Sequence, residues 1–328
     1  MSSVISVREL TKMYGQHNKG AEPVLAVDHI NFDVQAGEVF GFLGPNGAGK
    51  TTTIRICTGI SKPTSGHVEI AGLDISQNPL RVKERIGVVS DVFNPYSELS
   101  AWDNLQFIAR LHNVPKKKRT TRIAELLQLF GLYDRRHDRV ATFSTGMRKH
   151  LSIAAALVHE PQILFLDEPT TGLDAQSARR IRQMVRELSQ GGTTILLTTH
   201  YIEEADQLCQ RIAIINKGRI VTVRTPDELK GMVHQGGIIE ASVDGAAEPI
   251  ALKLEACDPI REVHVSGNSL KLHADDPCQA LAALFETTRA CGRRLTSVNT
   301  VRPTLEDAFV EITGLQAEIM TNEKEAHK

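Results

Sequence analysis

The stretch GPNGAGKTT (44–52) fits the pattern G-x-x-x-x-G-K-[ST], with Gly44, Gly49, Lys50 and Thr51 at the defining positions. Glycines let a backbone wrap phosphate oxygens with its N–H groups, and a helix that follows adds its dipole. Gly44, Pro45, Asn46, Gly47, Ala48 and Gly49 are therefore expected to cradle a nucleotide's phosphates. Lys50 is expected to neutralise the β and γ phosphates, Thr51 to ligate Mg2+ and Thr52 to support the α-phosphate. Further on, ILFLDEP (163–169) ends an apolar run in two carboxylates, which a buried strand tolerates only beside offsetting charge. Asp167 suits the Mg2+ side; Glu168 can face the water that attacks the γ-phosphate, as base or orienter. His200, closing TTILLTTH (193–200), can contact the γ-phosphate or that water. In FSTGMRKH (143–150), Ser144 either caps the helix that follows or helps its N-terminus hold an anion.

Such residues need strands that deliver them to one place. Short apolar runs and longer amphipathic segments alternate from about residue 4 to 223, the signature of an α/β fold. GEVFGFLG (37–44), QILFLDEP (162–169) and TTILLTTH (193–200) read as buried strands, and RIAIINKGRI (211–220) as a hairpin turning at Lys217 and Gly218. A mainly helical stretch spans roughly 95–160, with RTTRIAELLQLFGL ending at Gly131. After TPDEL (225–229) come short alternating strands, an alanine-rich helix at about 278–291, the strand RLTSVNTV and a last helix in TLEDAFVEITG. The expected organisation is a nucleotide-binding domain over 1–223, a small α+β domain over 224–314 and a polar tail over 315–328.

Composition excludes several classes. With 38 basic and 39 acidic residues in 328, the formal charge is −1, so no global field recruits nucleic acid. The basic run PKKKR (115–119) opens a predicted amphipathic helix and reads as its solvated start. No apolar run approaches the roughly 20 residues that cross a bilayer, and MSSVISVREL carries no basic-then-apolar leader. Cys57, Cys209, Cys257, Cys278 and Cys291 lack metal spacing and are expected to be reduced thiols of the cytoplasm.

GPNGAGKTT, FSTGM, ILFLDEP, TTGLD and TTH, in that order, resemble the ATP-binding subunit of an ABC transporter, over about residues 4–223. STGM, THYIEEAD and the closing RPTLEDAFVEITG are similar to the drug, antibiotic, lipid and polysaccharide exporter group with a C-terminal extension. The resemblance implies a P-loop NTPase fold with a helical subdomain at about 95–160, the cofactors ATP and Mg2+, and ATP hydrolysis with Glu168 as the catalytic carboxylate. It implies that Tyr14 stacks on adenine, that His200 is the switch histidine and that Asp174 contacts the opposite subunit. Ser144 and Gly146 would complete the ATP site of that partner, so hydrolysis would require two copies, or a heterodimer with a similar ATPase. The pattern departs at IGVVSD, where Asp91 stands at the family's glutamine and offers Mg2+ a shorter, charged oxygen. FNPYSELSAWDNL (93–105), with Tyr96 and Trp102, would face a separate membrane permease, placing the chain on the cytoplasmic face of the membrane. An importer ATPase shares the core motifs. Soluble ABC ATPases usually carry two cassettes, whereas this chain has one phosphate loop and one signature.

Overall fold

The computed structural model describes residues 3–15, 22–90, 95–232, 237–258, 260–301 and 303–314. The chain divides into two compact units, with the division in the sequence between Thr225 and Pro226.

The first unit runs β1 (Ser3–Tyr14), β2 (Val24–Gln35), β3 (Val39–Leu43), α1 (Lys50–Cys57), β4 (Ser65–Ile70), β5 (Leu73–Asp74), α2 (Pro79–Lys83) and β6 (Ile86–Val89). Helices α3 (Ala101–Leu111), α4 (Lys116–Leu129) and α5 (Thr145–Leu157) follow. Then come β7 (Ile163–Asp167), α6 (Ala175–Gln190), β8 (Thr194–Thr199), α7 (Ile202–Leu208), β9 (Arg211–Asn216) and β10 (Arg219–Arg224). The central sheet has the order β10-β9-β3-β8-β7-β6, and β6, β7, β8, β3 and β9 run parallel. With helices on one face and α1 and a second sheet on the other, β3, β7 and β8 are buried at every residue, as their mainly apolar composition requires. The hairpin β9–β10 turns at Lys217 and Gly218, both with positive φ (48° and 80°), the geometry of a two-residue loop that follows strand twist.

A second, antiparallel sheet of order β2-β1-β4-β5 packs on the first through Ile5, Val7, Val34, Phe32, Phe40 and Phe42. Its long strands pass unnoticed in the sequence because β1 and β2 pair through several register shifts, with Glu9 and His29 at positive φ. Each bulge shifts the inside–outside alternation that marks a strand.

Helix α3 is capped by Ser100, whose hydroxyl accepts from Asp103 N at 3.0 Å. Helix α4 starts within the basic run, with Lys116, Lys117 and Lys118 exposed, and stops before Gly131 at φ 65°. Among the described residues no helix is long and apolar enough to cross a membrane. All five cysteines are free thiols, and burial pushes Cys57 up to about 12.

The second unit comprises α8 (Pro226–Met232), β11 (Gly237–Val243), α9 (Glu248–Leu254), β12 (Ile260–Ser266), β13 (Ser269–Ala274), α10 (Pro277–Ala290), β14 (Leu295–Val301) and α11 (Leu305–Thr313). Its antiparallel sheet has the order β12-β13-β11-β14. One face packs Ile239, Ala241, Leu270 and Leu272 against Ile250 and Leu254 of α9 and Leu284 of α10. Helix α11 opens with a capping box between Thr304 and Asp307.

Candidate functional site

The glycine-rich loop leaves the buried end of β3 and enters α1 at Gly49, which takes φ 104° and has no side chain with which to cap the helix. The first N–H groups of α1 are thereby left to an external acceptor. Two glycines are dictated by close packing: a Cβ on Gly44 would run into the carbonyl of Ile215 in β9, and one on Gly49 into the carbonyl of Ala26 in β2. The ammonium of Lys50 folds back over the loop, donating to the Gly44 carbonyl at 2.7 Å and the Pro45 carbonyl at 3.0 Å. Burial lowers the Lys50 pKa, while Glu168 and Asp167 hold the charge in place.

Strand order explains how the acidic pair reaches this loop. β8 lies between β3 and β7, with Thr199 level with Leu43 and Thr198 level with Asp167. Thr198 donates its hydroxyl to Asp167 Oδ1 at 2.5 Å, and Thr51 donates to the same oxygen at 3.2 Å. A hydroxyl and a carboxylate converge here beside the phosphate loop, the hard oxygen set that suits Mg2+. Asp167 itself is fully buried.

Glu168 lies just past the strand end with φ 44°, a left-handed conformation that costs a non-glycine residue about 1–3 kcal/mol and concentrates at functional sites. Its N–H is held by both the carbonyl and the hydroxyl of Thr198, each at 3.1 Å. The turn aims the carboxylate back across the sheet end, where Oε1 lies 3.6 Å from Lys50 Nζ and Oε2 lies 3.2 Å from His200 Nδ1. Thr171 donates to Oε2 at 3.0 Å. Burial alone would raise the Glu168 pKa; His200, Lys50 and Thr171 outweigh it and bring it down to about 2. The imidazole of His200 is 5 % exposed and lies against the Tyr201 ring, with centroids 4.1 Å apart. An ionised carboxylate, an imidazole and an ammonium thus face one point above the loop, where they can orient a water against a terminal phosphate.

Ser144, Gly146 and Asp174 form a second cluster. The exposed Ser144 hydroxyl caps α5, accepting from Met147 N at 3.2 Å. Asp174 caps α6, accepting from Ser177 N at 2.9 Å and the Ser177 hydroxyl at 2.7 Å, and these bonds lower its pKa. A Cβ on Gly146 would come within 2.8 Å of Ser177 Oγ, so the glycine is what lets the two helix starts meet. Tyr14 ends β1 half exposed, with Lys12 Nζ 4.9 Å above its ring. Asp91 lies outside the described residues. Tyr96 packs edge-on against Phe107, both exposed, whereas Trp102 is half-buried beside His137.

Sequence reasoning overlooked Thr198, although a pair of threonines closing a fully buried strand is a signal in itself. It also overlooked Glu204, 1 % exposed on α7, whose carboxyl is pushed up by burial beside Thr199 and Thr170.

A phosphate loop entering a helix, flanked by an acidic strand end on a parallel sheet, defines a P-loop ATPase. The model of the ABC transporter family matches residues 27–171. The daunorubicin resistance ATP-binding protein DrrA2 of Streptomyces coeruleorubidus is 38% identical over 325 residues, covering 98% of each chain. The linearmycin resistance ATP-binding protein LnrL of Bacillus subtilis (strain 168) is 33% identical over 313 residues, covering 95% of this chain and 98% of that one. Among solved structures, an ATP-binding cassette captured as a dimer in a post-hydrolysis state with ADP and Pi superposes with TM-score 0.62 at 26% identity, covering 67% of this chain and 98% of that one. The chain belongs to the family of ABC transporter ATP-binding proteins, and its activity is ATP hydrolysis coupled to transport.

Proposed function

We propose that the chain drives export of a drug- or antibiotic-like compound through a separate membrane permease, working as a dimer on the cytoplasmic face of the membrane. The names of the relatives, which concern resistance to daunorubicin and linearmycin, support the direction and the class of cargo. The observation that carries the chemistry is the Glu168 carboxylate, held between Lys50, His200 and Thr171 over the phosphate loop. In this reading the loop 44–49 and the start of α1 bind the β and γ phosphates, and Lys50 exchanges its two carbonyl partners for phosphate oxygens. Thr52 supports the α-phosphate, and Tyr14 stacks on the adenine. Thr51 and Asp167 would hold Mg2+, which would supply positive charge against the phosphate oxygens. Glu168 orients the attacking water and takes up its proton. A bound triphosphate raises the Glu168 pKa toward that task by like charge. His200 fixes the carboxylate and senses the γ-phosphate.

Ser144, Gly146 and Asp174 serve the second copy's nucleotide. Two helix N-termini brought together on the surface form a ready anion-binding face, and their serine and aspartate caps keep it ordered before a partner arrives. The permease contact combines the segment 95–105, with Tyr96 and Trp102, and an apolar groove of about 250 Å³ between the sheet edge and the helices, lined by Ile60, Ile86, Val88, Ile108 and Leu111. Ile60 and Leu111 are more than half exposed there, as suits a surface awaiting an apolar segment. The test is the dependence of ATPase rate on protein concentration. Specific activity should fall on dilution as dimers dissociate, and light scattering should report a dimer at saturating Mg-ATP. Activity that stays constant down to monomer concentrations would refute the shared site.

A further inference from the structure

We propose that Glu262, His264 and His273 form a Zn2+ site on the open face of the C-terminal sheet. Side chains at i and i+2 of a strand share a face, so Glu262 and His264 project together from β12. The register of β12 on β13 sets Glu262 directly opposite His273, so the third donor stands on that same face. One donor atom from each residue lies within 4.8 Å of the other two. His264 Nε2 is already 3.2 Å from Glu262 Oε1, and the two imidazole rings are 5.8 Å apart, edge to face. Zinc bonds nitrogen and carboxylate oxygen at about 2.0–2.2 Å, so donors in a tetrahedral site stand roughly 3.3 Å apart. The cluster is about 1.5 Å from that spacing at its widest, a gap that side-chain rotation closes without moving a strand.

The backbone beneath is rigid where it must be. Leu270 and Leu272, pointing to the other face of β13, are fully buried against α9 and α10. His273 therefore sits on an anchored strand, while Glu262 and His264 on the edge strand β12, with side chains 60% and 58% exposed, are free to turn toward a metal. Two imidazoles and a carboxylate are the donor set of a three-ligand zinc site, and they disfavour Mg2+ and Ca2+, which take oxygen. Lys271, opposite His264, opposes a dication, but Glu240 stands across from Lys271 on β11 and offsets it. Beside His264 a cleft of about 380 Å³ leaves room for a fourth donor, either water or a group from another molecule. This site is built from residues of the second unit alone and does not depend on the function proposed above.

The test titrates Zn2+ into the full-length chain against a chromophoric chelator, with Mg2+ in large excess to fill the oxygen-donor site. One equivalent should bind, and His264→Ala or His273→Ala should each weaken it by at least about 10-fold, since even outer partners of metal ligands are worth that much. Replacing Cys257, Cys278 and Cys291 by serine should leave it unchanged. Both histidines are partly or well exposed, so the variants keep the fold, which circular dichroism checks. Wild-type affinity in the histidine variants, loss of binding in the cysteine variant, or less than one equivalent taken up by the wild type would each overturn the site.

Discussion

Replacing Glu168 by glutamine isolates what its charge contributes. The substitution keeps the shape and an acceptor for Thr171, but removes the negative charge facing Lys50 at 3.6 Å and His200 at 3.2 Å. The Glu168 pKa of about 2, against an ordinary 4.5, is worth on the order of 3 kcal/mol to the carboxylate form, whose side chain is 16% exposed. Because the folded-state value is depressed, this stability is present above pH 4.5 and is lost as pH falls from 4.5 toward 2. Two outcomes follow. In single-turnover assays with saturating Mg-ATP, hydrolysis by Glu168→Gln should drop about 10²–10⁴-fold, the usual contribution of a positioned general base. Equilibrium nucleotide binding should stay level or tighten, since a negative charge beside the γ-phosphate has gone. In acid denaturation without nucleotide, the variant should lose less stability than the wild type between pH 4.5 and 2. Turnover within about tenfold of the wild type would refute the assignment of Glu168, and so would a matching loss of ATP affinity.

Ser144→Ala should leave nucleotide affinity of the monomer unchanged while impairing ATP-dependent dimerisation in light scattering, and the lost cap should cost about 1 kcal/mol in denaturant unfolding. Gly44→Ala forces a methyl group into the Ile215 carbonyl, so ATP binding should fall sharply in a fluorescent-nucleotide titration while the C-terminal unit stays folded. Burial and the stacked His112 bring the His159 pKa down to about 4, so the folded chain favours neutral His159; stability should fall as pH drops from 6.5 toward 4, and His159→Asn should flatten that part of the profile. Thr304→Ala breaks the capping box and should lower the unfolding free energy of the C-terminal unit by about 1 kcal/mol in a denaturant titration.

The core of the site was legible because burial makes polar residues conspicuous. An Asp-Glu pair closing an apolar run, or a lysine after a glycine-rich turn, has few explanations besides a site that supplies the opposite charge. Other features left no such mark. The order β3-β8-β7 depends on crossovers between distant segments, so nothing local shows that Thr198 and Thr51 converge on Asp167. The antiparallel sheet was hidden by bulges at Glu9 and His29, which shift the alternation that reveals a half-buried strand. The left-handed turn at Glu168 is invisible in composition, since glutamate rarely adopts it and only the surrounding hydrogen bonds enforce it.

The bonds from Lys50 to the carbonyls of Gly44 and Pro45 bear on how nucleotide affinity is divided. The loop carries an internal stand-in for phosphate, so its shape is kept while it waits. In the function proposed above, binding is a swap of acceptors, and the lysine contributes only the difference between two carbonyls and two phosphate oxygens. A triphosphate makes that difference large, whereas a neutral oxygen ligand makes it close to nothing. The same arrangement that keeps the loop folded also makes it selective for charge.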